Sequence, residues 1–305
     1  MDAGHRRAGH GGQVLHYTIS AGKPIVVDGG ARNDKLVIDV TIAGTIRYQG
    51  GQGDDSLTVL GQSAAAATYT PGTNNRDGID GHPDLRGTVV VGASAISFQE
   101  LEAAGAVLLQ DVATVTVQSP GGKDALTLGK DKVQGTVAGV VPIVPLLVKN
   151  VTKLVVGTGA NNQRAADTVT LADTMDAVGL QALTVRGGDG NDTFRVQTAN
   201  LTLPAGGAIR FEGGGGFDIL AGPGVAATYD VTGLNRGTVS AGAGALTFID
   251  IEHLAGGPAH DIFRFQAGGW LTGLIHSGSG PDTVDVSPWC QWFRSIWTAF
   301  WREFR

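Results

Sequence analysis

Eight aspartates that close or follow short turns, most of them rich in glycine, are the residues with the clearest capacity for chemistry. Aspartate carboxylates supply the oxygen ligands that calcium prefers. Aspartate also shapes tight turns by accepting hydrogen bonds from nearby backbone N–H groups. The pattern therefore predicts either calcium ligands or turn formers. The eight residues are Asp34, Asp55, Asp124, Asp167, Asp192, Asp218, Asp261 and Asp282.

Three of the turns match the nine-residue pattern G-G-x-G-x-D-x-U-x, in which U is apolar. They span residues 50–58, 187–195 and 213–221. The turns ending at Asp34 and Asp261 lack the fourth-position glycine, and the turn ending at Asp282 lacks the first glycine. Within the complete turns, the predicted calcium-binding residues are Gly50, Gly51, Gly53, Asp55, Gly187, Gly188, Gly190, Asp192, Gly213, Gly214, Gly216 and Asp218. Asp34, Asp261 and Asp282 are predicted to take part as well.

These turns resemble the haemolysin-type calcium-binding repeats of secreted bacterial proteins. The wider pattern is similar to the repeats of bacterial adhesin-like surface proteins, and it covers most of residues 14–287. The resemblance implies a right-handed roll in which turn carbonyls and aspartate carboxylates of successive turns surround each calcium ion. That family carries its nonapeptides in tandem, whereas here they stand singly, so the turn-forming alternative stays open.

The spacing of the aspartates predicts a repeating fold. Most gaps are close to one, two or three multiples of about 21–26 residues, and short alternating apolar runs typical of strands lie between them. We predict an all-β chain with a parallel β-solenoid over 14–287, each coil stacking on the last. Aspartates of adjacent coils would then lie about 5 Å apart and repel unless a cation lay between them. Residues 1–13 are predicted to be a disordered N-terminal segment.

The chain contains a duplicated module. GTVVVGASAISFQELE at 87–102 aligns without a gap with GTVSAGAGALTFIDIE at 237–252, and the two modules extend over 29–102 and 187–252. The first module alone carries the insertion NNRDGIDGHPDL at 74–85. Its three aspartates are interpreted either as part of a solvated loop or as the basis of an alternative function, a calcium-independent β-helix that binds glycan or degrades polysaccharide.

Composition narrows the classes of function. The chain has 23 Asp against 5 Glu and a formal charge of −6, without a basic cluster that could follow a phosphate backbone, which argues against nucleic-acid binding. A single cysteine, Cys290, excludes an internal disulfide. The histidines lack paired metal-ligand spacing, and no nucleotide-binding or nucleophile motif is present. We therefore predict a non-enzymatic protein.

The last 18 residues, 288–305, differ sharply from the rest of the chain. They contain no glycine and four of the five tryptophans. Their apolar residues follow helical spacing, which predicts an amphipathic helix beginning at Pro288. Such a helix could cover the open end of a solenoid or lie in a membrane interface, and a shifted reading frame would also explain the change. The apolar residues are Trp289, Trp292, Phe293, Ile296, Trp297, Phe300, Trp301 and Phe304.

The predicted role is a structural, adhesin-like segment of a secreted or cell-surface bacterial protein. Calcium is its predicted ligand, and surface glycans or other surface proteins are candidate partners. No signal peptide is visible in residues 1–13, because no apolar stretch follows the charged residues.

Overall fold

The computed structural model describes residues 23–40, 43–72, 76–77, 83–102, 106–159 and 164–287. The predicted segments 1–13 and 288–305 lie outside the described residues, as does most of the insertion at 74–85. The strands of the first half are β1 (Ile25–Ala31), β2 (Lys35–Asp39), β3 (Gly44–Gln52), β4 (Ser56–Pro71), β5 (Arg76–Asp77), β6 (Pro83–Val91), β7 (Ser94–Leu101), β8 (Val107–Gln118), β9 (Ala125–Lys130), β10 (Lys132–Val137), β11 (Val141–Pro142) and β12 (Leu146–Gly157). Those of the second half are β13 (Thr168–Met175), β14 (Ala182–Asp189), β15 (Thr193–Val196), β16 (Ala208–Gly215), β17 (Ile219–Ala221), β18 (Ala227–Gly233), β19 (Arg236–Ala241), β20 (Gly244–Ile249), β21 (His253–Ala255), β22 (Ile262–Phe265), β23 (Ile275–His276) and β24 (Thr283–Asp285).

The strands join one large, mostly parallel sheet that does not close on itself, which confirms the all-β prediction. Ile25 of β1 lies opposite Ile46 of β3, and Thr193 of β15 lies opposite Ile219 of β17. Acidic residues bonded across neighbouring turns are 21, 25 or 26 residues apart at the short steps. Longer steps of 34, 43 and 47 residues occur where additional strands intervene. The predicted spacing therefore describes only the short steps.

The intervening strands form antiparallel hairpins, which were not predicted from the sequence. β6 and β7 pair through Val91 and Ser94, and β19 and β20 pair through Ala241 and Gly244. Each hairpin turns over two residues that begin with a glycine of positive φ, 57° at Gly92 and 54° at Gly242. Such conformations suit two-residue hairpin turns. Both copies of the duplicated segment thus contain the same hairpin.

The core is formed by residues of both the parallel strands and the hairpins, and it follows the two-residue period of the strands. In β16, Ile209 and Phe211 are buried, while Ala208 and Arg210 are exposed. Parallel pairing places similar side chains directly beside one another, so Tyr229 of β18 stacks on Phe263 of β22 with ring centroids 4.5 Å apart. Such aromatic pairs stabilise by about 1 kcal/mol beyond their buried area. Within the described ranges, no helix is long and apolar enough to cross a membrane.

Candidate functional site: a row of buried carboxylates

Acidic side chains form a row across the parallel strands, in which the backbone N–H of one acid donates to the side chain of the next. The N–H of Asp167 donates to Oδ1 of Asp192 at 2.8 Å, and the N–H of Asp192 donates to Oδ1 of Asp218 at 2.7 Å. All three residues are buried. We call the following residues the carboxylate row: Asp34, Asp55, Glu102, Asp124, Asp167, Asp192, Asp218, Glu252, Asp261 and Asp282.

The row is divided into three runs. The first joins Asp34 to Asp55 at 2.6 Å, and the last joins Asp261 to Asp282 at 2.9 Å. The central run begins where the N–H of Asp124 donates to Oδ1 of Asp167 at 2.7 Å. Predicted partners within a run are therefore brought together. The hydrogen bonds do not join one run to the next among the described residues.

Two glutamates complete the row, and neither is among the site residues predicted from the sequence. Glu102 accepts the N–H of Asp55 at 2.9 Å, and Glu252 accepts the N–H of Asp218 at 2.7 Å. Each glutamate follows a hairpin. It accepts the N–H of the preceding aspartate, as the next aspartate does elsewhere in the row. A signal was present, since both glutamates are the last residue of the duplicated segment.

The first glycine of each complete turn leaves room for two oxygen atoms. A Cβ on Gly187 would lie 2.2 Å from Oδ2 of Asp192 in the same turn and 2.7 Å from the carbonyl oxygen of Gly213 in the neighbouring turn. A Cβ on Gly213 would lie 2.3 Å from Oδ2 of Asp218 and 1.9 Å from the carbonyl oxygen of Asp250. A carboxylate oxygen and a backbone carbonyl oxygen thus converge beside each glycine. Gly50 repeats the arrangement with Asp55 and Glu100.

The second and fourth glycines are required by backbone stacking. Gly214 and Gly216 have φ of 105° and 137°, and their Cβ atoms would lie 2.2 Å and 1.7 Å from the carbonyl oxygens of Gly188 and Gly190. Gly188, Gly190, Gly51 and Gly53 share the positive φ. Larger residues would meet both conformational strain and a clash. The backbone therefore requires these glycines of the nine-residue pattern whether or not an ion binds.

Four carboxylate oxygens of the row are buried without a hydrogen-bond partner. They are Oδ2 of Asp34, Asp55, Asp192 and Asp218. The last three belong to the three complete nine-residue turns. A buried polar atom without a partner is costly, and such atoms are rare in folded proteins. Three of the four unsatisfied acceptors thus lie in the turns that match the calcium-binding pattern, and the fourth, Oδ2 of Asp34, lies in a turn that lacks the fourth glycine.

In two incomplete turns the corresponding carboxylate is fully bonded. Asp261 accepts the N–H of Ala227 at 2.9 Å and the N–H of Gly257, in its own turn, at 2.7 Å. Asp124 accepts the N–H of Ala138 and the hydroxyl of Ser119. The turn-forming interpretation therefore holds for Asp261, whose partner lies in its own turn. Asp55, Asp192 and Asp218 instead bond to the neighbouring turn.

Burial changes the acid–base behaviour of the row. It raises the pKa of Asp167 and of Asp218 to about 7, and it raises the pKa of Asp55, Asp124 and Asp192 in the same direction. The hydrogen bond from the neighbouring N–H opposes this effect at Asp218, while nearby acidic residues add to it. For Asp218 these residues are Asp192, Glu252 and Asp250. The repulsion expected from stacked carboxylates is therefore relieved either by protons or by a cation.

In the presence of a chelator, we expect the free energy of unfolding to decrease as the pH rises from about 4 to about 7. The folded chain retains protons at Asp167 and Asp218 over this range, whereas the unfolded chain has already released them. Since the unfolded state binds fewer protons, each group contributes a slope of up to about −1.4 kcal/mol per pH unit. Chemical denaturation at a series of pH values measures this slope. Asp218→Asn should reduce it, and an unchanged slope in that variant would contradict the assignment.

The residues predicted as calcium ligands all lie in described turns, but they do not form a cluster of side chains. The part of the chain that the structure describes contains no group of three or more His, Cys, Asp or Glu residues arranged to hold a metal ion. Any ion at these turns would therefore be bound by backbone carbonyls and water together with one or two carboxylate oxygens. Calcium accepts such mixed oxygen ligands.

Comparison with protein-family models, with curated proteins and with solved structures finds no match to this chain.

Proposed function

We propose that the mostly parallel sheet winds as a β-solenoid, with coils of about 21–26 residues at the short steps and hairpins inserted at the longer ones. The in-register parallel pairing supports this. β16 lies beside β14 and β17 lies beside β15, so the chain returns each time to run alongside a strand that it formed earlier. The three-run carboxylate row supports it too, since equivalent turns must lie above one another for its hydrogen bonds to form. In this proposal, residues 288–305 form the amphipathic helix predicted from their spacing.

The function that the site supports best is a non-catalytic structural segment of a secreted or cell-surface, adhesin-like protein whose complete turns bind calcium. One observation carries this proposal: Oδ2 is unbonded in Asp55, Asp192 and Asp218, which lie in the three turns that match the nine-residue pattern, and also in Asp34, whose turn lacks the fourth glycine. The carboxylates of Asp124 and Asp261, in turns that depart from it, are fully bonded.

The residues present fit a calcium ion through their oxygen chemistry. Oδ2 of Asp192 and the carbonyl oxygen of Gly213 converge beside Gly187, and Oδ2 of Asp218 and the carbonyl oxygen of Asp250 converge beside Gly213. Calcium would supply the positive charge that balances neighbouring carboxylates. The chain's own part is to keep these oxygens buried and fixed through the N–H bonds of the row. Folding would then be favoured where calcium is abundant, as outside the cell.

We expect calcium to raise the melting temperature of the full chain, and Asp192→Asn/Asp218→Asn to lose most of that rise. Asparagine keeps an oxygen that can accept the N–H bond but removes the charge that attracts calcium. For two sites, saturation at 100 times Kd would stabilise by about 5 kcal/mol in total. Isothermal calorimetry with thermal melting, in calcium and in chelator, measures both binding and stabilisation.

Asp124→Asn is the matched control, because both carboxylate oxygens of Asp124 are already bonded within the protein. It should retain the rise caused by calcium. Absence of binding heat, together with identical melting in calcium and chelator, would overturn the calcium proposal. The protein would then be a structural rod whose row is neutralised by protons.

A further inference from the structure

An exposed apolar surface near the end of the described chain surrounds a cavity beside the last strands. The cavity has a volume of about 360 Å³. Trp270 and Leu274 at its rim are 52% and 60% exposed. The side chains that line it are Phe265, Trp270, Leu271, Leu274, Ile275 and Val286. We call these residues the terminal pocket.

The terminal pocket lies at an edge of the sheet. Within the described residues, β23 pairs with β21 and β24 pairs with β22, each along one side only. Val284 of β24 is also exposed, at 55%. Exposed strand edges and apolar patches of this kind favour association, and proteins usually cover them. The pocket therefore has the chemistry of a surface that is covered in the complete protein.

We propose that the terminal pocket is the docking site of the chain's own C-terminal segment, residues 288–305. Val286 lines the pocket and Ser287 is the last described residue, so the segment begins at the rim. The segment contains four tryptophans among its 18 residues. An apolar cavity of about 150 Å³ already accepts a benzene ring, so this pocket can accept an indole ring. The proposal concerns a contact within one chain and does not depend on calcium.

The connection favours this occupant over any other. A segment joined directly to the rim is present at an effective concentration in the millimolar range or above. On a helix, Trp289, Trp292 and Trp297 project from one side, which matches the apolar lining of the pocket. The arginines of the segment, Arg294, Arg302 and Arg305, then remain available to solvent.

The single cysteine reports on this contact in the full chain. On a helix, Cys290 lies on the same side as Trp297, seven positions later, so docking should shield its thiol. We expect Cys290 of the wild-type protein to react slowly with a maleimide, and Leu274→Asp to increase the rate about tenfold or more. Val178→Asp is the matched control, because Val178 is equally exposed, at 65%, but lies outside the terminal pocket. Its rate should equal that of the wild type.

A second measurement tests the contact from the other side. The amide of Leu274 donates to Nδ1 of His253 at 3.0 Å, and Trp297→Asp should increase hydrogen exchange across residues 273–275 without changing exchange in β14. Equal thiol reactivity in the wild type and Leu274→Asp would overturn the proposal. So would protection that appears only with protein concentration, which would indicate a second copy. Protection that appears only with phosphatidylglycerol vesicles would indicate a membrane interface and would also overturn it.

Discussion

Gly213→Ala should lower the free energy of unfolding by about 3 kcal/mol or more, although it adds a single methyl group. The new Cβ would lie 1.9 Å from the carbonyl oxygen of Asp250 and 2.3 Å from Oδ2 of Asp218. The oxygen of Asp250 is part of the backbone, and moving the carboxylate of Asp218 would disturb the bond that its Oδ1 accepts from the N–H of Asp192. Overpacking of this kind typically costs about 1–3 kcal/mol, and contact with fixed backbone places it at the upper end or beyond. Thermal melting in chelator measures the effect without any contribution from calcium.

Two other glycines separate the clash from the general cost of replacing glycine. Gly224→Ala meets no atom within 4 Å and requires no positive φ, so it should stay within about 0.5 kcal/mol of the wild type. Gly206→Ala also meets no atom, but its φ of 69° should cost about 1 kcal/mol. If Gly213→Ala were as stable as Gly224→Ala, the close stacking of turns would be refuted.

The strands and turns were largely predictable because they depend on local chemistry. Alternating runs such as TFRV at 193–196 and IFRF at 262–265 fix both the strand and the face that it buries. The turns require positive φ and close contact between backbones. Both requirements select glycine, so they can be recognised in the sequence. The alternating runs TVVV at 88–91, ALTV at 182–185 and TVDV at 283–286 likewise overlap strands of the structure.

The hairpins were harder to predict, because direction of pairing is not contained in the period of a single strand. Residues 88–91 and 95–98 alternate whether their partners are parallel or antiparallel. The two-residue turn at Gly92 gave the relevant local signal, but the surrounding chain is so rich in glycine that the signal did not stand out. Each hairpin also lies within a single interval between predicted aspartates, so the spacing of the aspartates did not reveal it.

The candidate site was predicted in its residues but not in its bonding. Sequence spacing indicated that Asp192 and Asp218 would be neighbours, and the structure joins them. The spacing did not indicate that the backbone N–H of Asp192 would donate to the carboxylate of Asp218 and so separate the two charged side chains. Unsatisfied oxygens such as Oδ2 of Asp218 depend on the packing of three turns, and no single turn contains that information.

Glu252→Ala should lower the free energy of unfolding by about 2–4 kcal/mol. Oε2 of Glu252 accepts the N–H of Asp218 at 2.7 Å, and Oε1 accepts the side-chain amide of Asn235 at 2.8 Å. Removing the carboxylate leaves a buried N–H without a partner, which costs about 1–3 kcal/mol, and weakens the bonding of Asn235. Chemical denaturation at pH 5 and pH 8 measures the loss.

The pH dependence of this loss distinguishes the carboxylate from a mere packing group. Glu252 raises the pKa of Asp218 through repulsion. Its removal therefore relieves repulsion at pH 8, where Asp218 is ionised, so the loss should be smaller at pH 8 than at pH 5.

Glu252→Gln keeps an acceptor for the N–H of Asp218 and should cost less than about 1 kcal/mol at either pH. Glu212→Ala is the surface control: its ion pairs with Arg186 and Arg210 are partly exposed and should contribute less than about 1 kcal/mol. Equal losses for the two alanine variants would mean that the glutamate at the end of the duplicated segment has no part in the row. A large loss only at Glu252 would show that the chain uses a longer acid to continue the row where a hairpin interrupts it.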